Sequence, residues 1–254
     1  MLSIKELEML LAEKDTDEAL EYLYSIKDDN RRAVIKLIEK YEKLKNEMKT
    51  ELARFNNMLI YEEKAYLNGF KLVAGVDEAG RGPLAGPVVA ASVILPRTIF
   101  IKGLDDSKKL TPKKREELFD EINNKAIAVS VGIIDVDVID RVNILNATKM
   151  AMDLAVRKLL PEPDYLLIDA VKLDKYKTRQ EAIIKGDQKS ASIAAASVIA
   201  KVTRDRILDR LHEKYPQYGF IHHKGYGTKE HIDAIKKYGI CPIHRLSFTK
   251  NIVS

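Results

Sequence analysis

Leu72-Val73-Ala74-Gly75-Val76-Asp77-Glu78-Ala79-Gly80-Arg81-Gly82-Pro83-Leu84-Ala85-Gly86-Pro87-Val88-Val89-Ala90-Ala91 is the stretch that decides the fold. Its two apolar runs, 72–76 and 88–95, are short and bounded by Gly and Pro, so they read as paired strands rather than one helix. Between them stand two adjacent carboxylates, Asp77 and Glu78, and then a Gly80-Arg81-Gly82 turn. The acid pair therefore emerges at the end of a buried strand. Unpaired charges there cost roughly several kcal/mol. A divalent metal ion is the expected partner.

Working outward, the chain of 254 residues has room for one catalytic domain and a smaller appendage. Its 46% hydrophobic and 32% charged content describe a water-soluble globular protein. No apolar run reaches the roughly 18 residues of a membrane span, and acidic residues early in the chain leave no signal-peptide core. A cytoplasmic location is expected. Cys241 is the only cysteine, which rules out an internal disulfide and a cysteine-rich zinc site. Charge is uneven: residues 1–70 hold 12 Lys+Arg against 15 Asp+Glu, whereas residues 71–254 hold 31 against 23. The basic excess accompanies the acid pair, which suits a polyanionic substrate met by metal or, more simply, solubilises the surface.

Residues 1–70 contain no Pro and a single Gly, Gly69, at their end. They read as a helical N-terminal extension, and 71–254 as the catalytic domain. Leu2–Leu11 and Thr16–Ile26 are expected as short helices. Apolar positions from Val34 to Met58 recur at three-four spacing and predict one long amphipathic helix from about Asp29 to Leu67. After the two strands, Ser107-Lys108-Lys109 forms a polar loop able to meet phosphate. Thr111 and Pro112 then open a helix. A strand over Ala126–Val136 leads to a helix over Asp137–Leu160, stopped by Pro161 and Pro163.

Tyr165-Leu166-Leu167-Ile168-Asp169 repeats the earlier pattern, a short buried strand ending in Asp. A strand reached through a long helix lies parallel to its neighbour, which brings Asp169 beside Asp77. A short strand, Glu181–Lys185, precedes Gly186 and a long helix from about Asp187. That helix is rich in small residues over 190–200, so it can approach the sheet closely. Asp187 fits a helix N-cap, at the same sheet end as the other acids. Tyr218–Thr228 reads as a Gly-rich loop, with Tyr226 between two glycines and able to stack on a base or sugar. His222 and His223 are adjacent, which is not a metal-ligand spacing.

Asp77, Glu78, Asp169 and Asp187 together make a cluster of hard oxygen donors. With no Cys and no paired His in support, the cluster points to Mg²⁺ or Mn²⁺ rather than zinc. Two such ions can activate water and stabilise the leaving oxygen in phosphodiester hydrolysis.

The segment 75–87 resembles the signature of bacterial ribonuclease HII. The similarity continues in order through Asp106-Ser107-Lys108-Lys109-Leu110, Ile168-Asp169-Ala170, Lys185-Gly186-Asp187 with 192–205, and Gly225-Tyr226-Gly227-Thr228. The resemblance implies an α/β, RNase H-like fold: a mixed five-stranded sheet flanked by helices, with a helical C-terminal part. It implies endonucleolytic cleavage of RNA in RNA–DNA hybrids and incision 5′ to single ribonucleotides in duplex DNA. Cut ends would be 3′-hydroxyl and 5′-phosphate, as in ribonucleotide excision repair. Asp77, Glu78, Asp169 and Asp187 would bind two Mn²⁺ or Mg²⁺ ions. Substrate contacts are expected at Gly80, Arg81, Gly82, Ser107, Lys108, Lys109, Lys201 and Tyr226. Within that set the Gly80-Arg81-Gly82 backbone would sense the ribose 2′-hydroxyl, and Tyr226 would stack on the sugar beyond the RNA–DNA junction. A monomer without membrane partners is expected. The related ribonuclease HIII lacks the Gly-Arg-Gly turn and carries a sheet-containing extension, so the helical residues 1–70 favour HII. A binder that has lost catalysis would drop one of the four acids, and a DNA-only nuclease would need no 2′-hydroxyl sensor.

Overall fold

The computed structural model describes residues 2–26, 31–174 and 176–253. The chain divides into two compact units, Met1–Asn56 and Asn57–Ser254. In the first, α1 (Ile4–Ala12) and α2 (Thr16–Ser25) each start in a capping box, Ser3 with Glu6 and Asp15 with Glu18. They bury Leu7, Leu11, Ala19 and Leu23 with Val34 and Leu37 of α3 (Arg32–Met58). The expected start of that long helix near Asp29 lies outside the described residues. The middle of its apolar stripe, Leu44, Met48 and Leu52, is exposed. The helix does not run unbroken to Leu67. It stops at Met58, and α4 (Ile60–Leu67) follows across Leu59.

The second unit is built on a five-stranded sheet of order β3-β2-β1-β4-β5. β1 (Val73–Ala79) and β2 (Val88–Ile94) pair antiparallel, as the opening stretch predicts. β3 (Ala128–Ile134) adds antiparallel to β2. β4 (Tyr165–Asp169) runs parallel to β1, and β5 (Arg179–Ile183) parallel to β4. Before β3 lies α5 (Pro112–Lys125), capped by the Thr111 hydroxyl with Pro112 at its first position. The helix expected over Asp137–Leu160 is two, α6 (Val136–Val142) and α7 (Ile144–Arg157). Asn143 between them takes φ 69° and caps α7 through its side chain.

α7 covers one sheet face, burying Ala147, Ala151, Met152 and Ala155 on Ala74, Val76, Val88, Ala90 and Ile168. The other face is covered by α8 (Ala191–Lys214), whose small residues bring its backbone down on the sheet. A Cβ at Gly75 would collide with the backbone of Ser192. The sheet edge of this face also carries α4, with Ala65 packed on Val73, Leu167, Ile183 and Ile193. Smaller helices α9 (Phe220–His223), α10 (Lys229–Tyr238) and α11 (Leu246–Val253) complete the C-terminal part. The loop expected over 218–228 thus contains one helical turn, held because Phe220 is buried among aromatic rings. This is the expected mixed sheet flanked by helices. No helix among the described residues is long and apolar enough to cross a membrane.

Candidate active site at the strand ends

Val76 pairs with Ile168 in the last step of the β1–β4 ladder, so Asp77 and Asp169 are the next residues on two adjacent parallel strands. Both alternate away from the α7 core, toward α8. Asp77 is buried, and the Ser197 hydroxyl of α8 donates to it. Ser197 Oγ in turn lies 2.8 Å from the buried Ser107 Oγ. Asp77 Oδ1 also accepts from the Glu78 N–H at 2.7 Å. Asp169 Oδ1 accepts from the Gly186 N–H at 2.7 Å, which ties it to the residue before Asp187. Asp187 is buried in a 3₁₀ turn, Gly186–Gln188, rather than at a helix N-cap. Ser190 performs that capping for α8, bonding the Ile193 N–H at 3.2 Å. The chain reaches this turn because Lys185 leaves the strand in the left-handed region at φ 57°. All four expected acids therefore belong to one sheet end. Asp106 joins them, accepting from Gln188 at 3.3 Å.

Electrostatically the cluster is under-compensated. Burial, then the charges of Glu78 and Asp169, push the Asp77 carboxyl well above its ordinary range. Burial also raises Glu78, with Asp169 adding and Arg81 opposing. Asp187 is raised by burial and then by Asp106. Two cations face the group: Arg81 Nη1 lies 3.3 Å from Glu78 Oε1, and Lys108 Nζ lies 3.5 Å from Asp187 Oδ2. Glu78 Oε2 is buried with no hydrogen-bond partner. Among the described residues no three His, Cys, Asp or Glu side chains are drawn into one ligand set. The donors are all hard oxygens, mutually repelling, with one oxygen orphaned. That is the character of a site that fits Mg²⁺ or Mn²⁺.

The Gly80-Arg81-Gly82 turn flanks the acids, and Tyr226 flanks the turn. A Cβ at Gly82 would stand 3.8 Å from Tyr226 Cε1. The two loops are also joined directly, with the Leu84 N–H donating to the Gly225 carbonyl at 2.8 Å. Gly80 has φ 95°, and a Cβ there would strike the Arg204 guanidinium. Beneath the turn lie two buried arginines that sequence reasoning missed. Arg245 donates to the carbonyls of Gly80 (2.6 Å), Arg81 (2.9 Å) and Gly86 (2.8 Å). Arg204 donates to Ala85 (3.0 Å), Pro87 (3.0 Å) and Lys224 (2.9 Å). Burial pulls Arg204 down to about 10 and Arg245 to about 9. Each guanidinium is spent on backbone, so the turn is fixed before any substrate arrives.

The remaining expected contacts divide. Lys109 pairs with Asp105 at 3.2 Å rather than with any of the four expected acids. Lys201 is paired with Asp205 at 2.7 Å and lines an open groove of about 530 Å³ with Arg115, Lys224 and Tyr226. Ser107 is buried beneath the site rather than presented to solvent. Of the two adjacent histidines, His223 is buried and His222 is exposed.

Against known proteins, the Ribonuclease HII family profile matches residues 74–251, and the Ribonuclease HII N-terminal domain profile matches 3–66. A ribonuclease HII of Acetivibrio thermocellus is 62% identical over 99% of this chain and 98% of its own. One from Ruminiclostridium cellulolyticum is 54% identical, again over 99% and 98%. Among solved structures, the ribonuclease H2 of Pyrococcus horikoshii OT3 superposes with a TM-score of 0.60 at 31% identity. It covers 72% of this chain and 97% of its own. With both profiles matched in order and relatives this similar along the whole length, the chain belongs to the ribonuclease HII family.

Proposed function

We propose that this protein is an endonuclease that cuts the RNA strand of RNA–DNA hybrids and incises 5′ to single ribonucleotides embedded in duplex DNA. As a member of the ribonuclease HII family it is a hydrolase of the ribonuclease H type. The finer reading rests on one observation. A cluster of under-compensated carboxylates, with Asp77 and Asp169 on adjacent strand ends, faces a rigid Gly-Arg-Gly turn beside Tyr226.

Asp77, Glu78, Asp169 and Asp187 would hold the divalent ions. Bound there, Mg²⁺ or Mn²⁺ supplies an activated water and stabilises the leaving oxygen, giving 3′-hydroxyl and 5′-phosphate ends. Ser197 fixes the Asp77 carboxylate, and the Gly186 N–H fixes that of Asp169. The glycines of the turn leave backbone N–H and C=O groups open to a ribose 2′-hydroxyl, the group that distinguishes RNA from DNA. With 44% of its surface exposed, Tyr226 has a free ring face for the next sugar, where a 2′-hydroxyl would crowd it. Lys108, near Asp187, is placed to meet a phosphate when substrate enters. The same reading makes the protein a cytoplasmic monomer that acts in removing ribonucleotides from DNA.

The test is cleavage of a duplex carrying one ribonucleotide, in Mg²⁺ and in Mn²⁺. Tyr226→Ala is expected to lower junction cleavage by about a hundredfold while leaving metal-induced thermal stabilisation intact. Full junction activity in that variant would remove Tyr226 from the mechanism. Absence of wild-type cleavage in either ion would remove the whole reading.

A further inference from the structure

Behind Tyr226 lies a group of buried imidazoles that the cleavage chemistry does not touch. His231 and His244 are fully enclosed, and His223 and Cys241 nearly so. Their hydrogen bonds run in a line. His231 Nδ1 is 2.9 Å from the Tyr226 carbonyl, His231 Nε2 is 3.0 Å from His244 Nε2, and His244 Nδ1 is 2.9 Å from the Cys241 N–H. Cys241 Sγ lies 3.1 Å from the same Nδ1.

The two ends fix every proton. The Tyr226 carbonyl can only accept, so His231 Nδ1 carries hydrogen and its Nε2 presents a lone pair. His244 Nε2 must then donate to it. That leaves a lone pair on His244 Nδ1, which is what the Cys241 N–H requires. The line therefore has a single polarity, Cys241 to His244 to His231 to Tyr226. His223 follows the same logic on the other side of the residue. Its Nε2 donates to the Tyr218 carbonyl at 2.8 Å, and its Nδ1 accepts the Gly225 N–H at 3.2 Å. Its ring stacks on His231 with centroids 4.5 Å apart. The backbone is thus gripped immediately before Tyr226 by one imidazole and at its carbonyl by another.

We propose that His231 and His244 are positioning residues for Tyr226: a neutral imidazole relay anchored at Cys241 that sets the height of the ring above the Gly80-Arg81-Gly82 turn. This rests on the assignment of Tyr226 to the substrate sugar. Every ring nitrogen in the line is committed to a hydrogen bond, so the cluster has no lone pair to offer a metal. Burial and the neighbouring His231 hold His244 down to about 4, and burial lowers His231 as well. The titratable groups facing the cluster are the three imidazoles, Cys241, Tyr218 and Glu230.

The experiment compares wild type, His244→Leu, His244→Gln, Tyr226→Ala and the His244→Leu/Tyr226→Ala double variant, all full-length. Amide hydrogen exchange over 224–228 is measured beside cleavage of a single-ribonucleotide duplex. In His244→Leu, exchange at Tyr226 and Thr228 is expected to quicken about tenfold with β1 unchanged, and kcat/KM to fall by about tenfold to a hundredfold. His244→Gln, which keeps a donor at the Nε2 position, restores most of both. The double variant cleaves no worse than Tyr226→Ala. Unchanged exchange in His244→Leu overturns the proposal, as does an equal loss from His244→Leu in the Tyr226→Ala background. Faster exchange with full cleavage in His244→Leu alone overturns the positioning role only. Full cleavage in both His244→Leu and Tyr226→Ala overturns the role of Tyr226 and the relay's purpose together. Should His244→Leu fail to fold, His244→Asn, too short to reach His231, supplies the same comparison.

Discussion

Asp77 shows at the scale of one residue how function and stability oppose each other. Its carboxylate accepts from Ser197 and from the Glu78 N–H, yet it is buried against two more negative charges. An asparagine would keep an acceptor oxygen for the Glu78 N–H and shed the charge. Asp77→Asn is therefore expected to raise the melting temperature in chelator at pH 8 and to lower cleavage by on the order of a thousandfold or more. Added Mg²⁺ or Mn²⁺ should stabilise the wild type and do so much less in the variant, because an ion that binds only the folded state stabilises by mass action. A lower melting temperature for Asp77→Asn without metal would show that the buried carboxylate does not destabilise the folded protein. Strand-end acids of this kind can be read from sequence, because the apolar run before them fixes both burial and direction. The supports under the turn cannot. Arg245 reaches carbonyls 159 to 165 positions away, and Arg204 those 117 and 119 away. In sequence each is one more basic residue of a charged chain.

Elements that carry a clear period formed where the pattern places them, and those bent by side chains from elsewhere did not. β1, β2 and β4 follow from apolar runs closed by Gly, Pro or Asp. α6 and α7 were legible as one apolar pattern, since periodicity cannot see Asn143 turning to φ 69° to cap its own successor. The start of α8 shows the same limit. Asp187 looks like a cap, but Ser190 is the cap and is itself held by Glu62 of α4. Glu62 Oε1 accepts from Ser190 Oγ at 2.6 Å and from the Ser192 N–H at 2.9 Å, while its Oε2 is buried and unpartnered. Burial raises the Glu62 carboxyl above its ordinary value. A carboxyl raised on folding contributes stability that is fully present below its unfolded value and lost as pH rises through the folded one. Glu62→Gln keeps the accepting oxygen without a charge to desolvate. Its melting temperature relative to wild type should therefore climb between pH 4 and pH 8, and a constant difference across that range would contradict the assignment.

For the whole molecule, the question is where the catalytic unit begins. The family profiles leave a gap between residues 66 and 74, whereas the compact units divide at Asn56 and Asn57. The difference concerns α4. Its Ala65 lies in the cluster formed by Val73, Leu167, Ile183 and Ile193, its Lys64 pairs with Glu181 at 3.0 Å, and its Glu62 braces the first turn of α8. α8 carries Ser197, which fixes Asp77, and follows directly from the turn holding Asp187. A chain starting at residue 57 keeps all of this, and one starting at residue 71 loses it. Removing the helix uncovers apolar side chains at the sheet edge, at roughly 25 cal/mol per Å². It also leaves the Ser190 hydroxyl and the Ser192 N–H without their acceptor, at about 1–3 kcal/mol for a buried group. Residues 57–254 are thus expected to fold cooperatively and to cleave a single-ribonucleotide duplex within about tenfold of the full chain. Residues 71–254 should unfold at a lower temperature by about 4 °C or more and lose cleavage in step, since Asp187 and Ser197 move with α8. Paired melting curves and cleavage rates for the two truncations decide the matter. Equal stability and activity would mean that α4 is an appendage to the nuclease rather than its first helix.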